Sequence, residues 1–201
     1  MIVNIQPLNS VTYNLLIKEI LFLTGGDAPA FVSIDGRCAS GKSTLAEKMS
    51  HDIGCPVVHM DDFFLRPEQR TAERYAEAGG NVDRERVWQL LNELKKGNGA
   101  EFRVFDCSTM ELGETKRIEA APAYIVEGSY SAHPELRDIY AKTIFLTLDP
   151  EIQMERIALR NPDKVEDFRT KWIPYEEKYF EAFRIMETSD VVFDTGLEEV
   201  R

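Results

Sequence analysis

A chain of 201 residues with 43% apolar and 29% charged side chains has enough apolar surface for one α/β domain, is short for two, and is not disordered throughout. Asp and Glu outnumber Lys and Arg 35 to 24, giving a net charge of −11, which works against the cationic footprint that nucleic acid or an anionic membrane requires. Cys38, Cys55 and Cys107 form no CxxC pair, Met1-Ile2-Val3-Asn4 lacks a basic n-region, and no apolar run approaches the roughly 18 residues that span a bilayer, so the expectation is a cytoplasmic protein with reduced thiols.

The first predicted element is a helix starting after Asn9-Ser10, with Val11, Leu15, Leu16, Ile20 and Leu23 along one side and Gly25-Gly26 as its stop. It is the body of an N-terminal helical extension, residues 1–29, expected to pack on a core domain of residues 30–201. The same helix could instead pair with another subunit of a homo-oligomer. Ala30 to Asp35 reads as a buried strand, followed by a glycine-containing loop and a helix from Lys42 to His51. Pro56 to Met60 is a second strand, and Asp83 opens a helix through Trp88, Leu91 and Leu94 to Gly97. Glu101 to Asp106 and Thr115 to Glu119 pair as a small hairpin, and Ala123 to Val126 and Thr143 to Leu148 are further buried strands. Glu151 to Arg160 is helical, as is Val165 to Glu187, which Pro174 should kink or break. Val191 to Phe193 is the last strand. Short apolar strands alternating with helices give right-handed crossovers and a parallel sheet, here of five strands, covered by helices on both faces. Such a three-layer α/β fold places ligands beyond the carboxyl ends of its strands.

Gly36-Arg37-Cys38-Ala39-Ser40-Gly41-Lys42-Ser43 fits G-x-x-x-x-G-K-[ST], with Thr44 next in the helix. Its glycines let successive backbone N–H groups converge on a phosphate, Lys42 reaches the β- and γ-oxygens, and the Ser43 hydroxyl ligates Mg²⁺. The helix that begins here turns its positive end to the same anion. Asp61 and Asp62 follow the second strand directly. Asp61 could take a proton from an attacking hydroxyl or hold magnesium through water, while Asp62 is read as structural. Glu127 ends the strand Tyr124-Ile125-Val126, the Walker B arrangement that meets the magnesium sphere. Arg156 and Arg160 share a helix face, with Arg169 and Lys171 beyond. A short lid near residues 156–171 would bring these cations over the moving phosphoryl group and exclude water. Phe168, Trp172, Tyr175, Tyr179, Phe180 and Phe183 recur at helical spacing and read as core, and His51, His59 and His133 match no metal or triad spacing.

The phosphate loop, the Asp61-Asp62-Phe63-Phe64 segment after strand two, the strand ending Glu127-Gly128 and the late arginine-bearing helix together resemble the uridine kinase-like group of P-loop kinases, from about Phe31 to Gly196. The resemblance implies ATP as donor, Mg²⁺, and a small-molecule acceptor that is nucleoside-like. It makes Asp61 the base towards the acceptor hydroxyl, with Lys42 and Arg160 serving the transfer and Ser43, Asp61 and Glu127 at the metal. It makes Asp83 a group that grips acceptor hydroxyls and Arg156 and Arg160 lid arginines, with Phe64, Arg66, Phe105, Met110 and Arg169 on the acceptor. This sequence departs from the group in three ways. Phe64 stands for a tyrosine, Phe105 and Met110 stand where a tyrosine and a histidine meet the pyrimidine ring, and the lid is shortened. Loss of those polar contacts weakens the case for uridine or cytidine.

The leading expectation is a kinase of a small hydroxyl compound. The alternative is a regulatory nucleotide-binding P-loop protein without a small-molecule acceptor, although the Asn-Lys-x-Asp that reads guanine is absent. A helicase-like activity is disfavoured by the acidity and by the lack of a basic patch interleaved with aromatics.

Overall fold

The computed structural model describes residues 3–196; the extremes of the two expected segments, residues 1–2 and 197–201, lie outside them. The chain runs β1 (Ile5–Pro7), α1 (Ser10–Leu23), β2 (Ala30–Gly36), α2 (Lys42–Ile53), β3 (Val57–His59), α3 (Ala72–Ala76), α4 (Arg84–Lys95), β4 (Ala100–Asp106) and β5 (Glu111–Ile118). It continues with β6 (Ala123–Glu127), α5 (Pro134–Arg137), β7 (Lys142–Thr147), α6 (Pro150–Arg160), α7 (Val165–Asp167), α8 (Ile173–Phe183), α9 (Ile185–Thr188) and β8 (Val191–Asp194). A 3₁₀ turn, Met60–Phe63, follows β3, and a π-helical turn, Phe168–Trp172, joins α7 to α8.

The main sheet has six parallel strands in the order β1-β8-β7-β2-β6-β3, one more than the five expected. The added strand is β1, which pairs Ile5, Gln6 and Pro7 with Val192, Phe193 and Asp194 at the edge. Three residues, one of them a proline, carry no hydrophobic period, and an edge is where a sheet tolerates the missing proline N–H. The N-terminal segment is therefore woven into the sheet as well as packed on it. Asn9 starts α1 by accepting hydrogen bonds on its side chain from Val11 N and Thr12 N at 3.0 and 3.1 Å.

Alternation along the central strands divides the core in two. Val32, Ile34, Ile125, Ile144 and Leu146 face Tyr13, Leu16 and Ile20 of α1 and Leu45, Ala46 and Met49 of α2. Tyr124, Val126 and Phe145 face the other layer, where Val87, Leu91 and Leu94 of α4 meet Tyr179 and Phe180 of α8. With both faces covered, β2, β6 and β7 are buried almost throughout. The β4–β5 hairpin stands apart as its own antiparallel pair.

Pro174 lies in the first turn of α8 and does not break the helix there. The disturbance is displaced upstream into the π turn, where Ile173 N donates to Phe168 O. Proline has no N–H and its ring crowds the preceding turn, and a widened turn accommodates both. The helix is interrupted at Arg184, which has φ +53 between α8 and α9.

Candidate active site

Gly36 leaves β2 with φ +135, and a Cβ there would lie 2.1 Å from Leu146 O, so only glycine passes between the strands. Ala39 follows in the left-handed region at φ +60, a strained position of the kind that gathers at ligand sites. Lys42 Nζ spans the loop, donating to Gly36 O at 2.8 Å and Arg37 O at 2.9 Å. Gly41 brings no side chain to cap the twelve-residue helix α2, so the amides of its first turn remain available to an anion. The Ser40 hydroxyl is buried without a hydrogen-bond partner among the described residues. The loop therefore fits a triphosphate.

Beneath the loop, Asp35 is fully buried and acts as the hub of the site. Its carboxylate accepts from Gly36 N at 2.7 Å, Tyr130 N at 3.3 Å, Ala132 N at 2.9 Å and Tyr179 OH at 2.9 Å. Burial pushes its pKa up to about 6, against the pull of those hydrogen bonds and of Lys42. Gly128, at φ +127, lies so close to Met60 that a Cβ would approach it to 2.8 Å, and this turn brings Ser129 and Tyr130 round beside the loop.

At the strand ends, Ser43 Oγ donates to Glu127 Oε2 at 3.2 Å, and the other carboxylate oxygen meets His59 Nδ1 at 2.7 Å. The bond to Glu127 raises the pKa of His59. Asp61, on the 3₁₀ turn after β3, is exposed to the cavity yet walled in by protein; that enclosure and the nearby Glu127 carboxylate raise its pKa. A hydroxyl with two carboxylates is a sparse oxygen set, suited to an ion such as magnesium that keeps most of its water.

These groups open on one cavity of about 430 Å³. The loop contributes Cys38, Ala39, Gly41, Lys42, Ser43 and Thr44, and the strand ends contribute Asp61 and Glu127. Arg160, Asn161 and Lys164 come from the end of α6 and the turn after it. A further wall is formed by Phe64, Asn81, Tyr130, Phe168, Trp172 and Glu176.

The other expected site residues are placed elsewhere. Gly36 and Arg37 open the loop without lining the cavity, and the Arg37 guanidinium pairs with Glu177 and stands 6.0 Å over the Phe180 ring. Arg156 binds Thr195 O at 2.7 Å and Ala39 O at 3.4 Å, bracing the loop from behind. Asp83 caps α4 through Arg86 N at 3.2 Å and is 1% exposed. Phe105 is buried beneath Arg70, Met110 takes φ +62 at the hairpin turn, and Arg66 binds Gln69 and Glu68. Arg169 pairs with Glu166 at 3.4 Å, away from the cavity lining that Phe168 joins.

Two aromatics read from the sequence as core are corrected. Phe168 and Trp172 line the cavity, since the π turn rotates them off the α8 face that buries Tyr179 and Phe180. Sequence reasoning also passed over Asn81, Ser129, Tyr130 and Glu176. Glu176 is buried and unites α8 with the loop, accepting from Cys38 N at 3.0 Å and from the Ser129 hydroxyl. Only the π turn could have signalled Phe168 and Trp172, and no spacing rule reads it.

No family model matches this chain. In sequence it is 22% identical over 196 residues to uridine-cytidine kinase 2-B of Danio rerio, covering 86% of this chain and 75% of that protein. It is 25% identical over 142 residues to the uridine kinase of Chloroflexus aurantiacus, covering 66% of this chain and 68% of the other. In structure it is similar to a possible uridine kinase from Bacillus stearothermophilus, with TM-score 0.68 over 90% of this chain and 97% of that one at 22% identity. Phosphoribulokinase from Rhodobacter spheroides gives TM-score 0.57 over 83% and 70% at 13% identity.

Proposed function

We propose that this chain, which is similar in sequence and fold to uridine kinases and other P-loop kinases, transfers the γ-phosphate of ATP to a hydroxyl of a small, ring-bearing, nucleoside-like alcohol. The supporting observation is the convergence of Asp61 and Glu127 with Lys42, Ser43 and Thr44 on one cavity. The loop amides and the α2 terminus hold the triphosphate. Magnesium, held by Ser43 and Glu127, would supply charge neutralisation on the phosphates. Lys42 exchanges its two carbonyl contacts for phosphate oxygens. Arg160 and Lys164 contribute positive charge beside the transferring group, and Phe168 and Trp172 exclude water from it.

Asp61 takes the proton of the acceptor hydroxyl as that oxygen attacks the γ-phosphorus. The bond to the β-phosphate oxygen breaks, and ADP leaves with the electron pair. A carboxylate raised above its ordinary range is a better base near neutral pH. A coupled ADP-release screen over nucleosides, sugars and vitamin alcohols tests this reading. Asp61→Asn should retain nucleotide affinity within about twofold and lose acceptor-dependent turnover by about 10²–10⁴-fold. Full turnover by that variant removes Asp61 as base. Slow nucleotide hydrolysis that no alcohol accelerates would instead favour a regulatory nucleotide-binding protein.

A further inference from the structure

Beside the acceptor wall, an acidic protein has gathered arginines. Phe64 and Val82, both lining the cavity, form an isolated backbone bridge, and Arg66 and Asp83 flank it. Arg66 Nε is 3.7 Å from Asp83 Oδ2, and Asp83 caps the helix whose first turn carries Arg86. The Arg86 guanidinium stands 5.1 Å over the Phe63 ring and donates to Arg103 O on the hairpin. Arg70 lies 5.4 Å over Phe105 of the same hairpin. Lys116 on β5 reaches Asp62 at 3.3 Å. Five cations thus surround three carboxylates, Asp62, Glu68 and Asp83, in a chain whose net charge is −11.

Arg70, Arg86 and Arg103 have no carboxylate within 4.0 Å among the described residues; Arg70 and Arg103 spend their donors on backbone carbonyls. Two atoms in the cluster are buried with no hydrogen-bond partner among the described residues, Arg86 Nη1 and Asp83 Oδ2. One is a donor that suits an anion, and the other is an acceptor that suits a hydroxyl. Burial and the neighbouring Arg66 and Arg103 work against the charge of Arg86, a penalty that a bound anion relieves.

We propose that the acceptor alcohol carries an anionic group, with Arg66, Arg86 and Arg103 binding that group and Asp83 accepting from one of its hydroxyls. Guanidinium forks match phosphate and carboxylate oxygens in pairs, which favours a phosphate monoester and next to it a hydroxy acid. The inference rests on the phosphotransfer reading above for the word acceptor, but the binding site stands on the arginine geometry alone.

The test uses the full chain with the phosphate loop saturated by magnesium and a non-hydrolysable ATP analogue, so that an added anion cannot bind there. Calorimetric titrations compare matched pairs: ribose with ribose 5-phosphate, uridine with uridine 5′-phosphate, and glycerol with glycerate for the carboxylate arm. At least one charged member should bind about 10- to 100-fold more tightly than its neutral parent, as charge-assisted hydrogen bonds imply. The advantage should shrink as salt rises from 50 to 200 mM, on the order of the Debye screening of partly exposed charges. Arg66→Gln and Arg103→Gln should each erase most of it, with affinity for the ATP analogue unchanged. Charged and neutral members binding alike overturns the proposal, as does an advantage that survives both variants. Turnover is read separately with ATP: a charged alcohol that binds through the arginines without being phosphorylated upholds the anion site and sinks the kinase reading.

Discussion

In the proposed site the backbone does the work between Gly36 and Thr44, whereas at Asp61, Asn81, Tyr130, Phe168 and Trp172 the side chains do it, delivered by four separate stretches of chain. The loop is contiguous because a phosphate needs converging amides, and one turn entering one helix provides them. The wall is dispersed because an acceptor is recognised by its own functional groups, which no single turn can match. Changes to the loop should therefore strike every substrate, and changes to the wall should distinguish among acceptors. Lys42→Ala tests the first half most severely. Turnover with any acceptor should fall about 10²–10³-fold, as for other lost cationic clamps, while Arg37→Ala, whose guanidinium is turned away to Glu177, should leave nucleotide affinity within about twofold. Equal losses in the two variants would mean that the loop does not act through its backbone and Lys42.

The same difference governs what the sequence could reveal. Gly36 to Ser43 was legible because its glycines are fixed by geometry, such as the 2.1 Å approach to Leu146 O. Asp61 and Glu127 were legible as strand-end carboxylates, Glu127 closing β6 and Asp61 following β3. Phe168 and Trp172 share their spacing with Tyr175, Tyr179 and Phe180, and only the π turn separates cavity from core. Strand β1 was illegible for another reason: three edge residues have no period. Arg66 and Asp83 meet across an isolated bridge between segments far apart in the chain, a pairing that no local pattern encodes.

Asp35 joins the two regions, since its carboxylate binds the loop at Gly36 and the wall at Tyr130. Its folded pKa, about 6, lies above the ordinary 3.8. The folded protein therefore binds this proton more tightly than the unfolded chain, and stability from this group is fully present below pH 3.8 and declines as pH rises through 6. The change is about 3 kcal/mol at most. Urea denaturation from pH 4 to 7 should show this slope in the wild type and not in Asp35→Asn, whatever the variant's absolute stability. An unchanged slope would place the titration elsewhere.

Trp172→Ala should raise the acceptor KM about tenfold, the scale of one lost aromatic contact, and leave the ATP KM alone. The chain has two tryptophans, and Trp88 is half exposed on α4. In Trp88→Phe the remaining emission therefore reports the wall directly and should respond to acceptor binding more than to nucleotide. A response to nucleotide alone would move Trp172 from the acceptor to the phosphate side.

The smallest expected effect probes the seam between the regions. His59 ends β3 just before Asp61 and contacts Glu127, which contacts Ser43 of the loop. Its pKa is raised chiefly by the bond to Glu127, so its share of stability is present below the unfolded value near 6.5 and is lost as pH rises through the higher folded value. Proton NMR resolves it from His133, which burial and the nearby Arg84 push down to about 4. Glu127→Gln should return His59 to its ordinary range, because a neutral amide cannot stabilise the imidazolium as a carboxylate does. Magnesium with ATP should lower it in the same direction in the wild type, since a cation that draws on Glu127 leaves less negative charge for His59. A His59 titration indifferent to both would uncouple Glu127 from the metal, leaving Ser43 and Asp61 as the oxygen ligands at the strand ends.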